Sequence, residues 1–212
     1  PKKAAAKIGV CFEEKNLYPR MTAKENLEFF AKLFGAKIDA EALLERVGLA
    51  GKGNERVENY SKGMKQRLMI ARSILNKPEV LFLDEPTDGL DPVSSENIRR
   101  IIREEQQRGA SVLLTTHDML EADKLSDRVA FINEGKIAAL DTPENLKLKY
   151  GKRSVKVLPR GRSEGEETEI PLDDPETPEK IKQILREGNF DTIHTSEATL
   201  EEIFIKLTGR GL

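Results

Sequence analysis

The stretch Val80-Leu81-Phe82-Leu83-Asp84-Glu85-Pro86 decides the fold, because it is an apolar strand that runs directly into two carboxylates. Ligands of α/β sheets bind beyond the carboxyl ends of the strands. Two adjacent acids at such an end can divide a hydrolytic task, in which Asp84 holds Mg²⁺ through water and Glu85 orients and deprotonates the attacking water. A buried strand that enters a solvated acidic turn is the alternative interpretation, and the heptapeptide alone leaves it open.

Apolar strands and capped helices alternate on both sides of this stretch. Thr22 and Glu25 form a capping-box pattern that opens a helix, and Gly35 ends it. The pattern further predicts strands at Lys7–Phe12 and Ser111–Thr115, a hairpin of Arg128–Asn133 and Lys136–Asp141, and helices that begin after Asp39, Ser61, Asp91 and Thr142. Buried strands that alternate with helices favour an α/β domain with a largely parallel sheet.

The amino-acid composition changes beyond Gly151. Residues Arg160–Pro178 are rich in Gly, Pro and acidic residues, whereas Ser154–Leu158 and Asp191–Thr195 are strand-like and Thr199–Thr208 is a capped helix. We therefore expect a small α+β appendage over residues 152–212.

The bulk composition is typical of a soluble globular chain, with 38% hydrophobic residues, 34% charged residues and a formal net charge of −2. This balance gives no argument for nucleic acid as a partner. The apolar runs are far shorter than the roughly 20 residues that span a bilayer. The single cysteine, Cys11, cannot form an internal disulfide, which fits a reducing, cytoplasmic setting.

A second candidate site is the segment Tyr60-Ser61-Lys62-Gly63-Met64-Lys65-Gln66-Arg67, which begins a helix with a small hydroxyl residue and a glycine. Such a start exposes backbone N–H groups and the positive end of the helix dipole, which suits phosphate. A helix cap followed by a basic face is the alternative interpretation of this segment alone. His117, which follows the strand Ser111–Thr115, can hydrogen-bond a γ-phosphate or the attacking water, whereas His194 has only a structural interpretation.

Together these segments resemble the ATP-binding-cassette (ABC) ATPase family, over about residues 7–151. The matching segments occur in family order and at family spacing. They are similar to the signature loop (Tyr60–Met64), the Walker B strand with its catalytic glutamate (Leu81–Glu85), the D-loop (Asp88–Asp91), the switch-histidine loop (Thr115–Asp118), the Q-loop region (Ile8–Pro19) and the hairpin that closes the core (Glu134–Pro143).

The resemblance implies a P-loop NTPase core with a mostly parallel sheet over residues 1–151, a helical lobe at about 19–75 and the appendage over 152–212. Both the signature variant and the appendage resemble those of exporter ATPases for drugs, lipids and polymers. The implied activity is ATP hydrolysis at a head-to-tail dimer interface, which drives transport through membrane-embedded partner subunits. The second ATP-binding subunit can be identical or different, and we expect the assembly at the inner face of the cell membrane, without nucleic acid.

The resemblance also assigns roles to the site residues. It implies catalysis by Glu85 and His117, contact with Mg²⁺ by Asp84 and Glu13, and contact with ATP by Ser61, Lys62, Gly63, Asp91 and His117. Two departures from the family pattern affect this set. Glu13 stands where the family usually has the Q-loop glutamine, and Lys62 and Met64 replace the usual Gly and Gln of the signature loop.

A third departure concerns the phosphate-binding loop. The three Gly-Lys pairs, Gly51-Lys52, Gly135-Lys136 and Gly151-Lys152, are not followed by Ser or Thr, so the sequence contains no G-x-x-x-x-G-K-[ST] motif, or Walker A loop. In the family this loop and an adenine-stacking aromatic residue precede the Q-loop. We therefore expect both to lie upstream of Pro1, and we expect the 212-residue chain alone to be inactive.

Two other classes of function remain open from the sequence. The first is a soluble ABC-type ATPase of DNA repair or translation. Repair members interrupt the core with long coiled coils, whereas no sustained heptads occur between Phe12 and Ser61. Translation members usually have Asn-His-Leu-Asp where this chain has Asp88-Gly89-Leu90-Asp91. A non-catalytic ABC scaffold module is the second, and the presence of Glu85 and His117 argues against it.

Overall fold

The computed structural model describes residues 6–14, 16–162 and 167–209. The chain forms two compact units that divide after His117. The domain boundary predicted after residue 151 is based on resemblance to a family, whereas the division after His117 is based on contacts within the chain. The boundary after residue 151 therefore stays a prediction.

A three-stranded parallel sheet organises the first unit. It consists of β1 (Ile8–Cys11), β2 (Val80–Asp84) and β3 (Ser111–Thr115), with β2 in the centre. In register, Val10 lies beside Phe82 and Phe82 beside Leu113. The carboxyl ends of all three strands therefore meet at one edge, as the predicted α/β sheet requires.

Four α-helices are described in this unit: α1 (Ala23–Phe34), α2 (Ala40–Arg46), α3 (Lys62–Ile74) and α4 (Pro92–Gln107), with a short 3₁₀ turn at Val57–Asn59. The predicted caps are confirmed, because the side chains of Thr22, Asp39, Ser61 and Asp91 each accept the backbone N–H three residues on. Thr22 forms the full capping box with Glu25, and Gly35 ends α1 at a φ of 67°. These local bonds fix where each helix begins, and thus where Ser61 and Gly63 lie.

The segment predicted to form a helical lobe, about residues 19–75, contains α1, α2 and α3. Leu27, Leu44 and Leu68 are fully buried within it. Arg46 at the end of α2 donates to Glu104 at 2.8 Å and to the buried Glu105 at 3.0 Å, which ties this lobe to α4.

The second unit contains a hairpin and a small sheet. The hairpin is β4 (Val129–Asn133) with β5 (Lys136–Asp141), and the sheet places β6 (Arg153–Pro159) between β7 (Thr168–Pro171) and β8 (Phe190–Glu197), all antiparallel. The described helices of this unit are α5 (Met119–Leu125), α6 (Pro143–Tyr150), α7 (Thr177–Glu187) and α8 (Leu200–Thr208).

Two apolar clusters hold the second unit together. Phe131, Leu146 and Ile203 belong to the cluster between the hairpin, α6 and α8. Val155 and Ile170 belong to the cluster of the small sheet, which confirms a mixed helix-and-strand segment at the C-terminal end. Within the described residues, no helix is both long and apolar enough to cross a membrane.

Candidate functional site

Glu85 is the first residue after β2, and its backbone has an unusual conformation. Its φ is +47°, in the left-handed region that a non-glycine residue rarely adopts. Such a residue costs roughly 1–3 kcal/mol unless its surroundings hold it, and strain of this kind concentrates at functional sites. Here the Glu85 N–H donates to the carbonyl of Thr115 at 3.0 Å, which extends the β2–β3 pairing by one bond.

His117 and Glu85 form the centre of the candidate site. The backbone N–H of His117 donates to Oε1 of Glu85 at 3.1 Å, and the His117 Nδ1 lies 2.9 Å from Oε2. A carboxylate only accepts hydrogen bonds, so Nδ1 must carry the proton in this contact. In the neutral form of the ring the lone pair is then on Nε2, and the imidazole side chain, 72% exposed, can present that atom to a hydrogen-bond donor such as water.

Asp84 lies beside Thr115 in the β2–β3 register, and the Thr115 hydroxyl donates to Asp84 Oδ1. This bond uses one carboxylate oxygen and fixes the rotamer of Asp84 at the strand end. Asp84 and Glu85 therefore lie next to each other, as the sequence predicts, but each has a different hydrogen-bond partner. Thr115 is a positioning residue; the sequence analysis placed it at the start of the segment that resembles the switch-histidine loop but gave it no role of its own.

The start of α3 contacts the turn that follows Glu85. Lys62 Nζ lies 2.7 Å from Asp88 Oδ2, and the aliphatic part of Lys62 lies over Gly89, where an added Cβ would be 3.0 Å from it. A Cβ on Gly63 would be 3.2 Å from the carbonyl oxygen of Gly89. Ser61 caps the helix, because its Oγ accepts the Met64 N–H at 3.2 Å. The structure thus places the signature-like loop and the D-loop-like turn of one chain in direct contact.

Gln66 is the second positioning residue to which the sequence analysis gave no role of its own. Its side chain is buried, at 1% exposed, and its Nε2 donates to the carbonyls of Glu85 at 3.0 Å and Pro86 at 3.1 Å. A signal was present in the sequence, because Gln66 shares a helix face with the apolar Ile70 at a spacing of four. A polar residue on an otherwise apolar face is usually buried with a hydrogen-bond partner.

The structure does not bring two predicted residues into this cluster. Asp91 caps α4, accepting the N–H of Ser94 at 3.0 Å and its hydroxyl at 2.6 Å, and these bonds hold the pKa of Asp91 below its ordinary value. Glu13 is exposed in the bend after β1, and no hydrogen bond or ion pair between described residues joins it to Asp84 or Glu85. The nucleotide role of Asp91 and the metal role of Glu13 stay predictions.

The donor set suits Mg²⁺ that is shared with a nucleotide. Across the described ranges, no three His, Cys, Asp or Glu side chains group together as a metal site made by protein alone. Mg²⁺ is typically held by one or two carboxylates together with water and substrate phosphates. Asp84 at the strand end is a carboxylate of this kind.

Comparisons with known proteins show which proteins this chain is similar to. The ABC transporter family matches residues 1–88. A fluoroquinolones export ATP-binding protein of Mycobacterium tuberculosis is 48% identical over 208 residues, which cover 97% of this chain and 69% of the relative. A daunorubicin resistance ATP-binding protein of Streptomyces coeruleorubidus is 35% identical over 99% of this chain and 74% of its own length.

Two solved structures share the fold. One is the ATP-binding subunit of an ABC transporter, with a TM-score of 0.64 and 28% identity over 71% of this chain. The other is a dimeric post-hydrolysis state of an ATP-binding cassette bound to ADP and Pi, with a TM-score of 0.61 and 27% identity over 66% of this chain. The present chain spans 65% of each of these structures.

Proposed function

The chain belongs to the ABC transporter family, among its ATP-binding export proteins, and on this premise we propose that it forms most of a subunit that hydrolyses ATP to drive export. The observation that carries the proposal is the convergence of Asp84, Glu85 and His117 at the carboxyl edge of the parallel sheet. Ligands of such sheets bind at this edge.

Each residue of the site has a separate task in this proposal. Glu85 is the general base that orients and deprotonates the attacking water, a role that typically contributes about 10²–10⁴-fold to the rate. His117 holds the Glu85 carboxylate through two contacts; its Nε2 can accept a hydrogen bond from the water when the ring is neutral, and can donate to the γ-phosphate only when the ring is protonated. Asp84, fixed by Thr115, would hold Mg²⁺, which in such enzymes neutralises charge on the phosphates.

The nucleotide site is shared between two subunits in this proposal. Ser61, Lys62 and Gly63 begin α3, a helix of 13 residues whose first turn presents N–H groups and the positive end of the dipole. These residues would contact the γ-phosphate bound by the partner subunit, and Asp91 would contact the nucleotide from the start of α4. The solved dimer of a related cassette, bound to ADP and Pi, supports an association of two such subunits.

A groove between β1, α1 and α3 would receive a helix of a membrane-embedded partner subunit. Its volume is about 470 Å³, and its lining is mostly apolar, with Phe12, Phe30 and Phe34 at its wall. Phe12 is half exposed at the end of β1, directly before Glu13. A partner seated there would contact the chain between the helical lobe and the catalytic edge. This arrangement implies a cytoplasmic subunit, peripheral on the inner face of the cell membrane.

The proposal is tested by ATPase assays on a full-length form that supplies a phosphate-binding loop. We expect Mg²⁺-dependent hydrolysis by that form, and stimulation when its membrane partner is present. The 212-residue chain alone should not turn over ATP, because the β- and γ-phosphates lose most of their contacts without the loop lysine and its backbone cradle. Hydrolysis by this chain alone would refute that part, and an inactive full-length form with intact fold would refute the proposal itself.

A further inference from the structure

Two hydrogen bonds connect α3 to the backbone of the candidate base. The Gln66 amide bridges the carbonyls of Glu85 and Pro86, and the Glu85 carbonyl also accepts the N–H of Asp88 at 3.2 Å. Gln66 therefore ties together the residue that carries the base and the turn that follows it. Buried bonds of this kind hold their partners firmly, because an unpaired buried amide or carbonyl costs about 1–3 kcal/mol.

The same helix carries the residues that are proposed to act on the partner's nucleotide. Ser61, Lys62 and Gly63 precede Gln66 by one turn, and residues 68–74 of α3 are buried. The helix cannot bend easily at this point, so a displacement of its first turn is passed to Gln66. Lys62 and Gly63 also contact Asp88 and Gly89 directly.

Resting on the proposed function, we infer that Gln66 is a positioning residue that couples the trans-acting start of α3 to the catalytic geometry of Glu85 in the same chain. Engagement of Ser61–Gly63 with the nucleotide of one site would thereby set the base of the other site. The contacts of Lys62 and Gly63 with the turn 88–90 support the same rigid connection.

Because the backbone of Glu85 is left-handed, the position of its carboxylate depends on this connection. A φ of +47° is costly and persists only where surrounding bonds hold it. Those bonds come from the Thr115 carbonyl, the His117 N–H and the Gln66 amide. Loss of the Gln66 bonds leaves the Glu85 carbonyl with the Asp88 N–H as its partner and no link to α3, so the carboxylate can move away from the attacking water. A displacement of about 1 Å can cost 10²-fold in rate.

The first test is a double-mutant cycle on kcat in the full-length form. Gln66→Met keeps the shape of the side chain and removes the amide, and we expect kcat to fall about 10–100-fold while KM changes little. Ser61→Gly removes the hydroxyl at a cost of only a few tenths of a kcal/mol to the helix cap. If Gln66 carries the effect of Ser61, the double variant should be no more than about threefold slower than the slower single variant.

Asn26→Leu is the matched control. Asn26 is also 1% exposed and also bonds backbone groups, those of Tyr18 and Thr22, but it does not touch the turn 85–90. Asn26→Leu should lower thermal stability as Gln66→Met does but leave kcat unchanged. The double variant Asn26→Leu with Ser61→Gly should therefore have the same kcat as Ser61→Gly alone. An active parent in which the Gln66 and Ser61 effects multiply would overturn the inference and leave the proposed function intact.

The second test does not depend on ATPase activity. In the 212-residue chain, Gln66→Met should increase amide hydrogen exchange in the segment 85–90 and at His117 by about tenfold relative to Asn26→Leu, since two bonds to that segment are lost. Equal exchange in the two variants would overturn the positioning role even if no ATPase activity were found. An inactive parent that shows the expected exchange would refute the proposed function alone.

Discussion

Glu85→Gln isolates the basicity of the candidate base from its shape. In the parent, Glu85 Oε1 accepts the His117 N–H at 3.1 Å and Oε2 faces the protonated Nδ1 at 2.9 Å. A glutamine can keep the first bond with its oxygen and turn its NH₂ group toward the ring. Because NH₂ donates, the His117 proton must then move to Nε2, and both contacts are kept with the opposite tautomer. The variant should therefore fold and bind ATP as the parent does.

The expected loss of rate follows from the missing base. A positioned general base contributes about 10²–10⁴-fold, and each factor of ten is about 1.4 kcal/mol of barrier. We therefore expect kcat to fall by about 10²–10⁴-fold, or about 3–5 kcal/mol, without a comparable change in KM. Hydrolysis no longer separates the two subunits, so an ATP-bound dimer should accumulate.

The assay is steady-state ATPase activity of the full-length form, with size-exclusion chromatography in ATP and Mg²⁺ to detect the dimer. Glu134→Gln is a matched control, because Glu134 is another glutamate with a left-handed backbone, at a φ of +50°, in the β4–β5 turn. It should leave the rate unchanged. Hydrolysis by Glu85→Gln at the parental rate would refute the assignment of Glu85 as the base.

The other predictions concern sharing of the site, the metal and stability. A mixture of Ser61→Arg and Asp84→Asn subunits should regain partial ATPase activity that neither has alone, because one site of the mixed dimer is complete; an inactive mixture that is shown to contain mixed dimers would exclude shared sites. Glu13→Gln should make ATPase activity less dependent on Mg²⁺, since a carboxylate near the γ-phosphate adds negative charge; superimposable Mg²⁺ titrations would remove Glu13 from the metal site. Arg46→Met should lower the free energy of unfolding of the 212-residue chain by about 1–3 kcal/mol in urea, because it removes a partner of the buried Glu105. The hydrogen bond from Arg46 also holds the pKa of Glu104 below its ordinary value of 4.5. The contribution of this bond to the free energy of unfolding is therefore present above pH 4.5 and is lost as the pH falls further. A difference in unfolding free energy between variant and parent that does not shrink in acid would contradict that coupling.

The parts of the fold that the sequence predicted correctly rest on local chemistry. Caps and turns depend on residues within one helical turn, so Ser61, Asp91 and Thr142 could be read directly, and all three accept the expected N–H. The Glu134-Gly135 turn likewise predicted the β4–β5 hairpin, with both residues at positive φ. Motifs of this kind need no knowledge of tertiary contacts.

The features that the sequence analysis did not predict, one helix and the exposure of one strand, depend on tertiary contacts. Helix α7 follows a segment rich in Gly, Pro and acidic residues, and only Ile181 and Ile184 pack on the small sheet. Strand β3 was expected to be a buried apolar strand, yet Leu113 is 61% exposed. Apolar composition alone could not reveal this exposure.

At the candidate site, too, some residues could be predicted from local sequence and others depend on tertiary contacts. Glu85 and His117 were predicted to act together because each follows a strand of one parallel sheet, and the structure places them in contact. Thr115 and Gln66 act through a side chain or backbone that is distant in sequence, so no motif spacing encodes them. The position of Gln66 beside Ile70 on α3 indicates that it is buried, but its partners, the carbonyls of Glu85 and Pro86, become visible only when the hydrogen bonds are traced.

The left-handed backbone of Glu85 gives a final test of why this residue is a glutamate. At a φ of +47° a glycine avoids the steric cost that any other residue pays, roughly 1–2 kcal/mol. Glu85→Ala and Glu85→Gly both lose the contacts with His117, so their difference in unfolding free energy reports the backbone alone. The glycine variant should be the more stable by roughly 1 kcal/mol, opposite to the order found in ordinary helices and strands. A more stable alanine variant would mean that the backbone at this position is unstrained in solution. If glycine does stabilise the chain, the glutamate is kept there at a cost in stability, which is expected of a side chain retained for chemistry.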